Sequence, residues 1–499
     1  MTGVQTCALP ILPQFFFSQN PSPGDAGCSP TCTGSEAYNF RVPFQVVWQH
    51  GDPVVNTNNN QIGAYLQDDW SPTPRLTINL GIRWDFETHM YNYDYVTPTD
   101  VRDTIHAYDL APVTKQDSLV KSQLDTTQYF TNGTQRKKFY GAFQPRVGFS
   151  YALDAENKTT IFGGWGLYYD RTYFDISVDE TLKLTRPEYT VHFADPDSTP
   201  TSTQLAWQNS YMTADTTVLK SLIIGNKAAG REVWLIANDV KVPKSSQFNL
   251  GIRHLFGDVA VSATYVGVRS WDGLVFNWAN RTLNSDGSCC FNNDYGHGFS
   301  SILYTTNSAK TWYDALQVEI TRPYKRTGNW GWGGGLSYTS GTRSVSGQGV
   351  VGDVFSTNPN SSVYPKHPTN DEKSRLVANW TMDVPFAAGV QFGGLITLGT
   401  GPRYSIGGYF PNGGYVPGGW SPPQYPFIFP GGWAYREVDF RLRKDFPNIS
   451  GTTLAVTVDV FNVFNFNNFS YPDNNNGKPQ PNGLLSDPRK TQIGVEYHF

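Results

Sequence analysis

The feature that most constrains this chain is an alternation of apolar and polar residues, repeated in segments of about ten residues. It is longest after Arg75. There Leu76, Ile78, Leu80, Ile82, Trp84 and Phe86 alternate with Arg75, Thr77, Asn79, Gly81, Arg83 and Asp85. A period of two places each set on its own face of a β-strand. The pattern returns at Phe248/Leu250/Ile252, Leu316/Val318/Ile320, Val438/Phe440/Leu442, Leu454/Val456/Val458/Val460 and the final Ile493/Val495/Tyr497/Phe499. No segment shows a capped apolar stripe of period 3.6, so almost no helix is expected. The chain reads as all-β.

Spacing sharpens the reading. Strands are expected near 41–49, 61–70, 75–87, 142–152, 159–170, 246–256, 258–268, 312–322, 330–340, 374–383, 389–400, 435–446, 452–464 and 490–499, fourteen in all. Their connections alternate in length. Ser71–Pro74, Leu153–Lys158, Gly257, Pro323–Asn329, Val384–Ala388 and Pro447–Gly451 are short. Residues 50–60, 88–141, 171–245, 269–311, 341–373, 401–434 and 465–489 are longer. Consecutive antiparallel hairpins with all tight turns at one end describe an outer-membrane barrel, with short periplasmic turns and long extracellular loops. In lipid every backbone polar group needs a partner, and a closed sheet supplies it. One set of alternate residues then faces lipid. Arg83, Asn249, Arg253, Glu319, Asp439, Arg441 and Arg443 face a watery lumen. Trp70, Trp84, Tyr168, Tyr169, Trp330, Trp332, Trp380 and Phe446 suit interfacial girdles. The competing fold is a secreted sandwich or propeller, which also alternates but rarely confines its long loops to one end.

Composition excludes other classes. The 499 residues hold 38 Lys+Arg against 42 Asp+Glu, so no cationic excess exists to neutralise nucleic-acid phosphates. No apolar run approaches the roughly 18 residues of a spanning helix. Aromatics are 15% and charged residues 16%, yet the mean hydropathy is -0.41, as a wide barrel with a polar interior requires. Cys7, Cys28, Cys32, Cys289 and Cys290 lack further ligands at metal spacing. Cys28 and Cys32 can close a small loop disulfide, and Cys289 and Cys290 are adjacent. The eight His include no HExxH. No metal, cofactor or catalytic residue is expected. Residues 1–40 are read as a non-native or disordered segment of a truncated product, Met1–Ile11 resembling translated sequencing-adapter sequence; residues 41–499 are read as barrel.

Gly63-Ala-Tyr-Leu-Gln-Asp-Asp-Trp70, followed by Thr73-Pro-Arg-Leu-Thr-Ile-Asn-Leu-Gly-Ile-Arg-Trp84, resembles a strand pair of TonB-dependent receptors, closest to their Oar-like branch. Phe143-Gln-Pro-Arg-Val-Gly-Phe149 agrees, as does Glu437–Phe446 running into Val460–Asn465. The resemblance implies a 22-stranded barrel with a plug and a TonB box, of which about fourteen strands are present here. It implies that plug and TonB box lie in a longer parent, which takes up a bulky ligand: a glycan fragment, peptide or chelate. It implies the TonB complex as partner through that plug, outer-membrane lipid, and barrel assembly machinery reading the terminal Tyr497 and Phe499. A passive porin or an adhesion scaffold is the alternative.

Candidate site residues follow from placement. Gln67, Asp68, Asp69, Trp70, Arg75 and Arg83 carry the signature strand pair. Asp68 and Asp69 are consecutive, so they point to opposite faces and make a poor acid–base couple. Asp439, Arg441 and Arg443 share a face, as a lumen salt-bridge ladder or a plug contact. Gly163–Gly166 and Trp330–Gly335 lie within strands with no helix following, so they do not cradle phosphate. Tyr404, Tyr409, Phe410, Tyr415, Trp420 and Tyr425 crowd loop 401–434, either to stack on a ligand or to pack on one another.

Overall fold

The computed structural model describes residues 12–17, 43–51, 54, 58–110, 125–171, 174–194, 199–200, 204–223, 228–229, 231–278, 281–282, 292–293, 299–328, 330–346, 355–356, 367–368, 371–384, 386, 389–401, 435–447, 453–470 and 483–498. Thirteen strands follow one another in a meander: β1 Gln61–Thr73, β2 Leu76–Glu87, β3 Ala142–Ala152, β4 Thr159–Tyr169, β5 Lys244–Phe256, β6 Val259–Trp278, β7 Phe299–Thr327, β8 Trp330–Ser346, β9 Ser374–Val384, β10 Val390–Gly399, β11 Tyr435–Pro447, β12 Thr453–Phe461 and β13 Lys490–His498. Every neighbouring pair is antiparallel. The connections 74–75, 153–158, 257–258, 328–329, 385–389 and 448–452 are short and lie at one end; the long ones lie at the other. Gly257 and Gly328 make the tightest turns at φ +59° and +64°, backbone that glycine adopts without a Cβ clash. Among the described residues no strand covers the outer edge of β1 or β13, so the wall is an open sheet.

Register keeps the two faces distinct. Leu66 sits opposite Ile82 and Gln67 opposite Gly81. Leu80 sits opposite Val147, and Asn79 opposite Gly148. Apolar side chains therefore line one face from strand to strand. Aromatic rings fill that face where glycines leave gaps: a Cβ on Gly267 would lie 2.2 Å from the Phe248 ring, and one on Gly394 would lie 2.3 Å from Trp380.

Strands β6, β7 and β8 run for 20, 29 and 17 residues. A tilted membrane crossing takes only about 9–11. The surplus projects on the long-loop side, and Arg231–Leu235 pairs with it in parallel along Phe299–Tyr304.

Two expectations are corrected. Helices do occur: α1 Thr99–Leu110, α2 Phe174–Thr185 and α3 Thr216–Lys220. On α1 only Val101 and Ile105 are buried apolar positions among those whose side chains are described; on α2, Ile176 and Leu182 flank buried Ser177 and Glu180. Polar residues whose burial depends on distant partners break the apolar stripe, so periodicity missed them. The strand expected at 41–49 forms as Gln45–Gln49, but outside the wall. It pairs with Gln14–Phe16 and Glu188–Phe193 in a separate five-stranded sheet. There Val46 and Trp48 are fully buried against Val191, Phe193, Leu219 and Leu222. Alternation alone does not distinguish a lipid-facing strand from one covered by protein. The five cysteines, the loop aromatics from Tyr404 to Tyr425, and Phe499 lie outside the described residues.

Candidate functional site

The polar face carries two kinds of charge. Most are tied to neighbours. The Arg83 Nε and Nη2 donate to the two Asp85 oxygens, both at 2.8 Å, and Gln144 Nε2 donates to Asp85 at 2.5 Å. Arg441 Nε donates to Asp459 at 2.5 Å. Arg443 reaches Asp445 and Glu496, both at 2.9 Å. Asp439 accepts the backbone N–H of Asn462 at 2.8 Å. Alternate residues on adjacent strands share a face, so a polar period of two becomes a ladder of cross-strand pairs. Asp69 joins the polar face, accepting from Asn79 Nδ2 at 2.6 Å, whereas Asp68 lies opposite Leu80 on the apolar face. Trp70 and Tyr497 sit on the apolar face opposite Ile78 and Leu454, and both are exposed. Arg75 lies in the 74–75 turn, where its carbonyl accepts from the Ala152 N–H at 2.8 Å.

A trough of about 300 Å³ crosses β1 to β6. Gly81, Gly148, Gly164 and Gly166 form its floor, and Gln67, Asn79, Arg146, Tyr168, Gln247 and Asn249 stand around it. The Arg146 guanidinium lies over the Tyr168 ring at 4.6 Å.

Above the wall, described parts of the long connections 88–141 and 170–243 pack with the projecting ends of β6 and β7 into a cap. One core joins Val101, Ile105, Tyr129, Val233, Leu235, Phe299 and Ile302; a second joins Met90, Tyr91, Ile176, Trp234, Ile236, Phe276 and Leu303. Between them lies a buried ion pair. Arg136 Nη1 and Nη2 donate to the two Glu180 oxygens, each at 2.6 Å, with both side chains at most 1% exposed. Arg136 also donates to the Ile236 carbonyl at 3.0 Å and the Tyr91 carbonyl at 3.2 Å. Glu180 accepts from the Ile236 N–H at 3.1 Å and Asn92 Nδ2 at 3.3 Å. The pair thus clasps α2, the segment after β2, the segment before β3 and Ile236, the residue after the strand at 231–235. Tyr129 donates to the Thr305 carbonyl at 3.0 Å, and burial pushes the nearby Tyr304 phenol up to about 12. Sequence reading missed Arg136 and Glu180. The only signal was the apolar run Val233–Ile236 inside a loop.

Among the described residues no group of three His, Cys, Asp or Glu is placed to hold a metal ion. The arrangement supports binding and passage: a polar wall beneath a folded cap.

Comparison with known proteins bears on the fold. Residues 14–415 match the family described as outer membrane beta barrel domain. The TonB-dependent transporter Oar of Myxococcus xanthus is 34% identical over 73 residues, 14% of this chain and 7% of Oar. The outer membrane transporter YddB from Escherichia coli superposes with a TM-score of 0.52 at 12% identity, covering 88% of this chain and 45% of YddB. The ferric enterobactin receptor PfeA of Pseudomonas aeruginosa gives a TM-score of 0.43 at 11% identity, covering 91% of this chain and 50% of PfeA. The chain spans half or less of each. The family match covers most of this chain, so its wall lies in the outer membrane, with the short turns periplasmic and the cap outside. The chain belongs to the outer membrane beta barrel domain family.

Proposed function

We propose that this chain forms the wall and extracellular cap of a ligand-uptake receptor, energised through TonB by a plug carried in a longer parent. The carrying observation is strand parity. Among the described residues thirteen antiparallel strands form the wall, which leaves β1 and β13 running in the same direction, toward the periplasm. Joining those edges, within one chain or between copies in one membrane, makes a parallel pair. Bacterial single-chain barrels are even-stranded and antiparallel, which calls for an odd number of further strands. The 22-stranded transporter barrels that hold a plug need about nine more. The short stretch shared with a protein named as a TonB-dependent transporter supports the coupling. The cap supports capture of a bulky ligand such as a glycan fragment, peptide or chelate, with Tyr404, Tyr409, Phe410, Tyr415, Trp420 and Tyr425 as further contacts. Tyr497 and Phe499 serve the barrel assembly machinery.

The test uses protein purified from its native outer membrane. In planar bilayers it should show no steady conductance, and in intact cells it should cross-link to TonB. A constantly open channel with no TonB cross-link would make the protein a passive porin instead.

A further inference from the structure

The trough on the polar face contains a cation without an acidic partner. Arg146 makes no ion pair among the described residues; its guanidinium lies over the Tyr168 ring at 4.6 Å. The acids of β1 and β2 that share its face are engaged elsewhere: Asp69 with Asn79, Asp85 with Arg83 and Gln144, and Glu87 with Asn59. Arg146 lines the trough, and a ring stacked on a guanidinium face does not engage the N–H groups that lie in the guanidinium plane. Around it, Gln67, Asn79, Gln247 and Asn249 offer amide donors and acceptors. Glycines at 81, 148, 164 and 166 remove the side chains that would otherwise fill the floor. On that floor a Cβ at Gly164 would already meet the Val147 carbonyl oxygen at 3.3 Å.

We propose that Arg146 and this ring of amides form a subsite for a carboxylate group of the ligand. The proposal rests on the uptake reading and names one chemical feature of what is taken up. A planar guanidinium edge matches a carboxylate through two parallel hydrogen bonds. Nearby amides extend recognition without adding charge. One cation balances one negative charge. Among the described residues that line the trough, Arg146 is the one cation. A doubly charged phosphate finds no second cation in the trough. The volume, about 300 Å³, is at the lower end of small-ligand sites and suits one end of a larger ligand.

The test is binding to the full chain in detergent micelles, followed by ligand-observed NMR. The probes are N-acetylglycine, its neutral amide N-acetylglycinamide, and methyl phosphate. Each variant is first shown to keep the wild-type β-sheet circular dichroism. N-acetylglycine should bind roughly tenfold or more tightly than the amide, as a charged hydrogen-bond pair is worth. Arg146→Gln should remove that preference, and Arg146→Lys should keep only part of it. Gly164→Leu should abolish binding with the cation still present. Lys325→Gln, an equal charge loss at a periplasmic turn, should change nothing. Equal binding of acid and amide, an unaltered Arg146→Gln variant, or tighter binding of methyl phosphate would each overturn the proposal. None of these readouts involves TonB, so the subsite can fail while energised uptake stands, and the reverse.

Discussion

In the wall, Leu250, Ile252 and Leu316 face outward and are 56%, 44% and 48% exposed; in the cap, Leu235, Ile236 and Leu303 are at most 1% exposed. The same residue types thus have opposite fates within one chain. Lipid solvates the outward leucines, so the wall needs no apolar core and is held by its backbone ladder. Water surrounds the cap, so the cap buries its apolar residues around a core, as a soluble domain does. The cap also buries a charge pair, which is stable only while each partner answers the other. Burial in this molecule has to be judged against the solvent outside each region.

The largest test of that contrast lies in the clasp. Glu180→Ala leaves Arg136 charged and buried, which should cost the cap about 3–5 kcal/mol. Hydrogen exchange should then speed up at the Ile236 amide and leave the β5 amides unchanged. Equal loss in both regions would mean that wall and cap unfold as one unit.

Leucine truncation compares the solvents directly. Leu235→Ala removes a core side chain and should cost about 2–5 kcal/mol in the cap. Leu250→Ala gives up only lipid contact and should cost under about 1 kcal/mol. Urea unfolding in lipid vesicles, read separately from cap and wall, checks the ratio.

A charge scan sharpens the two faces of the wall. Leu250→Arg should cost roughly 2–4 kcal/mol if it lies near mid-membrane, whereas its neighbour Asn249→Arg should be close to neutral. Similar costs at both positions would remove the distinction between lipid and lumen.

The smallest effect concerns a periplasmic turn. Asp154 accepts the backbone N–H groups of Lys158 at 2.8 Å and Thr159 at 2.6 Å, and these hold its carboxyl down at about 2. A depressed carboxylate stabilises the fold above its ordinary value, near ~3.9. That contribution is lost as pH falls from there through about 2. Amide exchange at Lys158 and Thr159 should rise across this window, and Asp154→Asn should flatten the response.

Much of the wall was legible in the sequence because a lipid face and a lumen face impose a strict period of two. Leu76 through Phe86 displays it without a break, and Asp68 and Asp69 fall on opposite faces as that period requires. The lengths of β6 to β8 were not legible. Their upper parts leave the membrane, and Leu274 and Phe276 pack into the cap, where alternation carries no information about solvent. The cap itself was hidden because its core is assembled from two connections and the ends of β6 and β7, all far apart in sequence. Glu180 is a charged residue in a helix until Arg136, 44 residues earlier, is folded against it. Arg146 illustrates a further limit. Its place on the polar face follows from the strand pattern, but its lack of an acidic partner depends on which neighbours had already engaged Asp69 and Asp85.

The most direct test of the account is a cysteine scan along β5, one residue at a time from Ser246 to His254, in native membranes. Gln247, Asn249, Gly251 and Arg253 should react with a water-soluble thiol reagent, and labels at Phe248, Leu250 and Ile252 should instead be quenched by brominated lipid. Strict alternation of the two signals is the predicted result. Water reactivity at every position, with no lipid quenching, would contradict the membrane wall and turn this sheet into part of a soluble protein.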